Sequence, residues 1–461
     1  MRFAPPLILL AGLYAALLGV TARPVMALAV LAGFYASLRG VSWLKEKILF
    51  EPLVPADFAL LAQVFRYPAL YIAFVGYGLF AVLCALGAAG VIGLYLFTPA
   101  IDLSLIERAA LFGILPLSVI ALKHIARFYP IEIEAMADQS RYGFAGMIAL
   151  YLVQPRTALP VPVIPEAPAD KPDIILIQAE SFLDPRDFWP EPYRAIAREK
   201  LHLPAWDKMR CEGVSGSLHV PARGANTMRS EFAVLSGLPE YTLGMHRFNP
   251  FLTLARPARR GQPAPALPAR LKEQGYATHA IHPYKRAFFA RHLAYPAMGF
   301  DSFLDEAAFP KDAPRRGPYI ADEAVAAPIA AILDGAPDRP HFIFAVTMEN
   351  HGPWTQGRYS AAERAAIIQS FPDMPFGMAA YCYHLQGVER LLSSILSEIE
   401  RRGRPCVIAL YGDHPPAFSD AGLPEPAALT SYAVRCGGVA PESRNAAAHD
   451  LLCMALCAGR P

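Results

Sequence analysis

The stretch Asp173-Ile-Ile-Leu-Ile177-Gln-Ala-Glu180 decides the fold, because a short apolar run ends there directly at an acid. Its length, its β-branched residues and the proline before it predict a buried strand. Three further runs have the same form: Tyr276 to Ile281 leads into His282, His341 to Thr347 leads into Glu349 and His351, and Cys406 to Leu410 leads into Asp413 and His414. Because ligands bind at the carboxyl ends of strands in open parallel sheets, this pattern predicts an α/β domain with a largely parallel central sheet.

Three of the residues that follow these strands form a predicted metal site. A single acid or histidine after a strand is usually a solvated loop residue or a turn former, but four such endings are hard to explain as turns. Glu180, Asp413 and His414 together supply two carboxylates and one imidazole. This donor set suits Mn²⁺, Zn²⁺ or Mg²⁺. We therefore predict that the three side chains hold one divalent cation.

Thr227 is the predicted nucleophile and the fourth metal ligand. It lies in Arg223-Gly-Ala-Asn-Thr-Met-Arg-Ser-Glu-Phe232, where a small, flexible approach meets a predicted helix from Met228 to Leu235 that ends before Gly237. Its hydroxyl would face the free N–H groups and the positive end of the helix dipole. A bound cation lowers the pKa of such a hydroxyl and allows it to attack phosphorus. The alternative is an ordinary N-cap, a common role for threonine.

Three further side chains can bind the substrate of this reaction. His282, Arg291 and His351 could hold and neutralise the non-bridging oxygens of a phosphodiester. The predicted reaction is in-line attack at phosphorus, which gives a phosphothreonine, followed by transfer to a second hydroxyl.

The first third of the chain predicts a membrane domain. With 54% hydrophobic and 18% charged residues and a mean hydropathy of +0.28, the 461 residues exceed the apolarity of one ordinary soluble domain. The net charge of +2 does not indicate a nucleic-acid partner. Uncharged runs lie between Arg2 and Arg23 and from Tyr67 to Ile101, and shorter apolar runs cover residues 24–38, 109–122 and 142–155.

These runs divide the chain into three predicted parts. Residues 1–155 form a multi-pass membrane anchor of four or five helices, residues 156–172 form a proline-rich linker, and residues 173–461 form the catalytic domain. Arg39, Lys45, Lys47 and Arg66 favour a cytoplasmic loop before residue 67, but the charge pattern does not decide the side on which the catalytic domain lies.

Five motifs resemble those of a known family. In chain order they are Ile-Gln-Ala-Glu180-Ser-Phe, Asn-Thr227-Met-Arg-Ser-Glu-Phe232, Phe289-Ala-Arg291 leading to Gly299-Phe-Asp-Ser-Phe, Glu349-Asn-His351-Gly-Pro-Trp354 and Tyr-Gly-Asp413-His414-Pro-Pro. This order resembles the lipoteichoic-acid synthase branch of the alkaline-phosphatase/sulfatase superfamily. The multi-helix anchor and the loop Glu51-Pro-Leu-Val-Pro-Ala-Asp57 resemble Gram-negative members.

The resemblance implies a phosphoglycerol transferase anchored in the inner (cytoplasmic) membrane, with an extracytoplasmic or periplasmic sulfatase-like domain. Its donor would be phosphatidylglycerol, and its acceptor a glycan or glycolipid. In that family the matching residues bind one metal, usually Mn²⁺: Glu180, Thr227, Asp413 and His414. The residues that match Arg291 and His351 contact the glycerol-phosphate group.

Two other classes of function stay open from the sequence. Family members often carry Lys-Thr-Ser-Asp-Ser-Glu-Phe around the nucleophile, whereas this chain has Asn226-Thr-Met-Arg-Ser-Glu-Phe232. One alternative is therefore a phosphoethanolamine transferase or phosphodiester hydrolase of the same superfamily, and the other is a non-catalytic binding module. No Cys-x-Pro-x-Arg formylglycine signature occurs in the chain, which argues against a true sulfatase.

Overall fold

The chain has two compact units in the computed structural model, which describes residues 3–60, 76–155, 158–162, 165–224, 226–251, 254, 266–418, 427–437 and 440–458. Unit 1 comprises Met1–Thr157 and the short segment Gly244–Phe248. Unit 2 comprises Ala158–Leu243 and Asn249–Pro461. The predicted order, an apolar helical part followed by an α/β part, is confirmed.

The described part of unit 1 consists of helices joined by short loops. Its helices are α1 (Ala4–Thr21), α2 (Pro24–Leu49), α3 (Tyr77–Phe97), α4 (Leu105–Ala126) and α5 (Ala135–Val153). The first four include stretches that are long and apolar enough to cross a membrane, so the chain is an integral membrane protein. The predicted apolar run from Tyr67 to Ile101 is described only from residue 76 onward, where it contains α3.

Lys45 organises the loop that follows α2. Its Nζ atom donates to Asp57 Oδ2 at 2.8 Å, to Glu51 Oε1 at 3.2 Å and to the carbonyl oxygen of Pro52 at 3.1 Å. The Lys45 and Asp57 side chains are only 10% and 15% exposed, so the ion pair is shielded from water. These bonds explain why a helix with an apolar first half continues as far as Leu49 and then turns.

Unit 2 alternates strands and helices. The strands are β1 (Asp173–Ala179), β2 (Gly213–His219), β3 (Ala277–Ile281), β4 (Ser302–Leu304), β5 (Arg315–Arg316), β6 (Tyr319–Ile320), β7 (His341–Val346), β8 (Cys406–Gly412), β9 (Leu429–Cys436), β10 (Glu442–Ser443) and β11 (Ala446–Ala447). The helices are α6 (Pro185–Phe188), α7 (Tyr193–Lys200), α8 (Pro204–Cys211), α9 (Thr227–Ser236), α10 (Leu267–Glu273), α11 (Arg291–Ala297), α12 (Ala326–Gly335), α13 (Ala361–Ser370), α14 (Phe376–Arg402) and α15 (Leu451–Ala458).

The central sheet has the strand order β10-β2-β9-β8-β1-β7-β3-β4, and β11 also pairs with β2. The strands β8, β1, β7, β3 and β4 run parallel, whereas β9 is antiparallel to both β8 and β2. In the register, Ile174 of β1 lies between Phe342 of β7 and Val407 of β8. The four strands predicted from the sequence are thus direct neighbours, in the order β8-β1-β7-β3, and their carboxyl ends meet at one edge.

Helix α14 packs its apolar face into the core on one side of this sheet. Its buried side chains include Met378, Leu385 and Leu392, which join the cluster formed by β1, β7 and β8. Tyr381 on the same helix accepts a hydrogen bond from Leu183 N, and its hydroxyl lies 2.9 Å from the carbonyl oxygen of Ser181. The longest helix of unit 2 therefore fixes the loop that follows β1, where Glu180 lies.

Candidate metal and phosphotransfer site

Glu180, Asp413 and His414 converge at the shared edge of β1 and β8. One ligand atom from each lies within 4.8 Å of the others. The His414 Nε2 atom is 3.2 Å from Glu180 Oε1 and 3.4 Å from Asp413 Oδ2. All three side chains are buried. Among the described residues, this is the set of acids, histidines and cysteines whose geometry suits a metal ion.

Two ligand atoms of this set have a lone pair available to coordinate a cation. Asp413 Oδ2 and His414 Nε2 are buried, and neither makes a hydrogen bond to another residue in the described part of the chain. On the other side of the imidazole ring, His414 Nδ1 lies 3.0 Å from the carbonyl oxygen of Pro415. A proton on Nδ1 directs the Nε2 lone pair toward the carboxylates, as in metal-binding histidines. Since unpaired buried polar atoms are costly, the donor set fits a divalent cation.

The electrostatics of the set show three strongly interacting groups. Burial alone would lower the pKa of His414, but the Asp413 and Glu180 carboxylates outweigh it and raise this pKa to about 9. Burial, reinforced by the charge of Glu180, raises the pKa of Asp413 to about 6. Burial also acts to raise the pKa of Glu180, but His351 and His414 outweigh it and lower this pKa to about 2. Without a bound cation, His414 carries the positive charge that compensates the acids.

The loop after β1 holds the acids in place through Ser181, whose role the sequence did not indicate. Ser181 N donates to Asp413 Oδ1 at 2.8 Å, and its hydroxyl donates to Glu180 Oε1 at 3.0 Å. Ser181 adopts a left-handed φ of +54° to make both bonds. On the far side, Glu180 N donates to Thr347 Oγ1 at 3.1 Å, which connects β1 to the end of β7.

Thr227 is the first residue of the buried helix α9. The alternative that Thr227 is only an N-cap is wrong, because Asn226 holds the N-cap position and makes no capping bond through its side chain. The Thr227 hydroxyl acts to lower the pKa of Asp413, which puts it beside the carboxylate. Ser230, one turn further along, donates from its hydroxyl to the carbonyl oxygen of Asp413 at 2.5 Å. The helix start is therefore tied directly to the end of β8.

Arg291 and His282 meet in a second buried group. Arg291 donates from Nη2 to Glu231 Oε2 at 2.7 Å and from Nε to Glu231 Oε1 at 3.1 Å, while its Nη1 lies 3.2 Å from His282 Nε2. The Tyr295 hydroxyl also donates to Glu231. Burial, followed by the charge of Arg291, lowers the pKa of His282 well below its ordinary value, so this imidazole is neutral. Glu231, missed as a site residue, belongs to the Asn-Thr-Met-Arg-Ser-Glu-Phe motif and could have been found there.

His351 lies beyond β7, where its charge acts on Glu180. Its Nδ1 atom is 2.6 Å from the carbonyl oxygen of Gly352, and burial lowers its pKa. Arg358 donates to the carbonyl oxygens of both His351 and Glu349, at 2.9 Å for the second. The guanidinium group therefore fixes the backbone that carries His351.

Glu349, although it also follows β7, does not join the metal ligands. Its Oε2 accepts a hydrogen bond from Asp322 N at 3.0 Å, and its Oε1 lies 3.0 Å from His384 Nδ1. Burial raises the pKa of Glu349 to about 7. A glycine is required at position 387, because a Cβ there would lie 2.4 Å from Glu349 Oε2. Glu349 is thus part of a buried group behind the His351 loop.

Comparison with known proteins finds relatives that cover the part of the chain carrying this site. The sulfatase family matches residues 172–443, the part of the chain that contains both groups of side chains. The capsular polysaccharide biosynthesis protein RkpI of Rhizobium meliloti is 30% identical over 450 residues, covering 91% of this chain and 78% of that protein. A second Rhizobium meliloti protein, provisionally named for cyclic beta-1,2-glucan modification, is 27% identical over 413 residues and covers 82% of this chain and 61% of that protein.

A solved structure gives a weaker similarity. The lipoteichoic acid synthase LtaP from Listeria monocytogenes aligns with a TM-score of 0.48 and 18% identity, over 63% of this chain and 72% of that one. The match to residues 172–443 and the similarity to RkpI are sufficient to assign the family. The chain belongs to the sulfatase family, whose members are metal-dependent enzymes that act on sulfate or phosphate esters.

Proposed function

We propose that this protein is a phosphotransferase that moves phosphoglycerol from phosphatidylglycerol to a glycan or glycolipid through a phosphothreonine on Thr227. The observation that carries the proposal is the position of Thr227, at the first turn of a buried helix and beside the carboxylate of Asp413. Glu180, Asp413, His414 and the Thr227 oxygen would hold one divalent cation, for which we propose Mn²⁺. When bound, such a cation lowers the pKa of the threonine hydroxyl and neutralises charge on the phosphoryl group.

The transfer has two balanced steps. In the first, the Thr227 oxygen loses its proton and forms a bond to phosphorus, while the bond from phosphorus to the diacylglycerol oxygen breaks and that oxygen takes up a proton. In the second, the acceptor hydroxyl loses its proton and forms a bond to phosphorus, while the bond from phosphorus to the Thr227 oxygen breaks and that oxygen takes up a proton. His351 and the Arg291–His282 pair lie at the same sheet edge, where they would orient the non-bridging oxygens.

Several observations favour transfer over sulfate ester hydrolysis. The position of the nucleophile holds a threonine, and the chain contains no formylglycine signature. The relatives named for capsular polysaccharide biosynthesis and for glucan modification support a glycan acceptor. Membrane-spanning helices in the same chain would keep the active site close to a lipid donor. Because phosphatidylglycerol and glycans meet outside the cytoplasm, we place unit 2 on the extracytoplasmic face of the inner membrane.

The proposal is tested with full-length protein in lipid nanodiscs and phosphatidylglycerol labelled in its head-group glycerol. With Mn²⁺ and no acceptor, the wild type is expected to release diacylglycerol and to hold the label on a peptide that contains Thr227. Thr227→Ala should lose turnover by several orders of magnitude, because the covalent route is gone. The matched control is Thr355→Ala, an exposed threonine that should keep full activity.

Two outcomes would change the assignment. Label that appears on Thr227 only with a phosphoethanolamine lipid would keep the nucleophile and replace the donor. An active Thr227→Ala variant, folded and loaded with metal, would overturn the phosphothreonine route itself.

A further inference from the structure

Tyr319 lies beside His351, on an element outside the central sheet. It belongs to β6, which among the described strands pairs with β5 alone, in a short antiparallel hairpin. The centroid of its ring is 5.6 Å from that of His351 and 6.2 Å from that of Tyr284. The Tyr284 ring is in turn 6.2 Å from His282. The two histidines assigned to the phosphoryl oxygens are therefore connected by two tyrosine rings.

The Tyr319 hydroxyl is available as a hydrogen-bond donor. Among the described residues it has no hydrogen-bond partner, and the residue is 8% exposed, against 3% for Tyr359, whose hydroxyl is buried. Burial of the residue, opposed by Arg358 and aided by the charge of Glu180, raises the pKa of Tyr319 to about 12. The phenol is thus protonated at physiological pH, and its ring lies 5.6 Å from that of His351, a residue of the predicted site.

Tyr359 provides an internal comparison. Tyr319 and Tyr359 flank the same guanidinium group, since Arg358 Cζ lies 4.9 Å from the first ring and 5.3 Å from the second. The ring of Tyr359, however, stacks on His384 at 5.4 Å and contacts Phe376. The carboxylates that act on its hydroxyl are those of Glu363 and Glu349. The two buried tyrosines therefore share one arginine but contact different neighbours: His351 and Tyr284 for Tyr319, His384 and Phe376 for Tyr359.

We propose that the Tyr319 hydroxyl donates a hydrogen bond to a non-bridging oxygen of the phosphorylated head group, as a substrate-binding residue beside His351. The inference rests on the proposed function only in that the ligand is a phosphate ester. The phenol is neutral, so phosphate binding does not require it to lose or gain a proton. Hydrogen bonds to charged acceptors are among the stronger ones, so their loss should weaken phosphate binding about tenfold or more.

The test compares Tyr319→Phe with Tyr359→Phe in the Mn²⁺-loaded, full-length protein. Calorimetric titration with inorganic phosphate and with glycerol phosphate should show a dissociation constant about 10- to 100-fold higher for Tyr319→Phe than for the wild type. Tyr359→Phe, which removes a hydroxyl with the same arginine beside it, should stay within about twofold. Metal content and melting temperature should match the wild type in both variants.

Two results overturn the inference: equal affinities of wild type and Tyr319→Phe, including no measurable binding by either, or equal losses in both variants. Turnover of bis(p-nitrophenyl) phosphate but not of phosphatidylglycerol would instead reject the proposed donor, while the binding comparison would still decide the role of Tyr319.

Discussion

Binding of a divalent cation to Glu180, Asp413 and His414 should release about one proton at pH 7.5. The reason is the charge state of the ligands without a cation. At this pH His414, with a pKa raised to about 9, is the doubly protonated imidazolium cation in nearly all molecules. Asp413, with a pKa of about 6, is already ionised. A cation binds the neutral imidazole, which keeps a proton on one ring nitrogen only, so the second ring proton must leave.

The affinity for Mn²⁺ and the number of protons released on binding both change with pH in a defined way. Between about pH 7 and pH 8.5 the dissociation constant for Mn²⁺ should fall about tenfold per pH unit, because one proton competes with the cation. Near pH 6 about half a proton more should be released, from Asp413. Above pH 9 the dependence should disappear.

Calorimetry measures this release directly. Chelator-treated full-length protein is titrated with Mn²⁺ in two buffers of different ionisation enthalpy, and the difference in observed heat gives the number of protons. His279→Gln is the control, since burial lowers the pKa of this distant histidine to about 4 and it has no proton to lose. A proton count near zero at pH 7.5, or a Mn²⁺ affinity independent of pH, would refute the assignment of His414 as a ligand.

The same shift predicts how stability depends on pH. The pKa of His414 is raised above its ordinary value of 6.5, so without a cation its contribution to stability is fully present below about pH 6.5 and is lost as pH rises through about 9. With saturating Mn²⁺ the imidazole must be neutral, so the cation should stabilise unit 2 more strongly as pH rises. Melting temperatures with Mn²⁺ and with chelator, at pH 6 and pH 8.5, give the two curves.

Two further predictions follow from the fold. Gly412→Ala should destabilise unit 2 by about 1–3 kcal/mol and weaken metal binding, because a Cβ there would lie 1.9 Å from a backbone carbonyl oxygen next to the metal ligands. Gly357→Ala is the control, since a Cβ at that position meets nothing within 4 Å. Equal denaturant midpoints for the two variants would contradict the packing argument. For topology, a phosphatase reporter fused after residue 160 should be active and a green fluorescent reporter dark, whereas the opposite pattern would place unit 2 in the cytoplasm.

The sequence predicts the site residues best where they directly follow a buried strand. A buried strand reads as a continuous apolar run, and parallel strands place their carboxyl ends together, so Glu180, His282, Asp413 and His414 could be assigned to one edge before any coordinates. Strand ends were less well predicted: β1 and β8 extend two residues further than their apolar runs, through residues whose backbone still pairs in the ladder. The prediction of four or five membrane helices agrees with the four described spans.

The supporting contacts could not be predicted, because they depend on partners far apart in the chain. Nothing local distinguishes Glu349 from Glu180, since both follow a buried strand; only the packing of Asp322 and His384 turns Glu349 away from the ligands. Tyr319 lies outside every motif, because the hairpin that carries it has two-residue strands with no periodic pattern.

The position of β1 in the sheet has a consequence for folding kinetics. The first strand of unit 2 pairs with β7 and β8, and contacts that join their ends span 167 residues from Glu180 to Thr347 and 232 from Ser181 to Asp413. Closing such large loops costs entropy before any contact is gained, and chains rich in distant pairings fold slowly. The ligands can meet only after nearly the whole of unit 2 has been synthesised and β8 has inserted between β1 and β9. Fragments that end before Asp413 should therefore have no high-affinity metal site, so cation capture marks a late stage in the maturation of this chain.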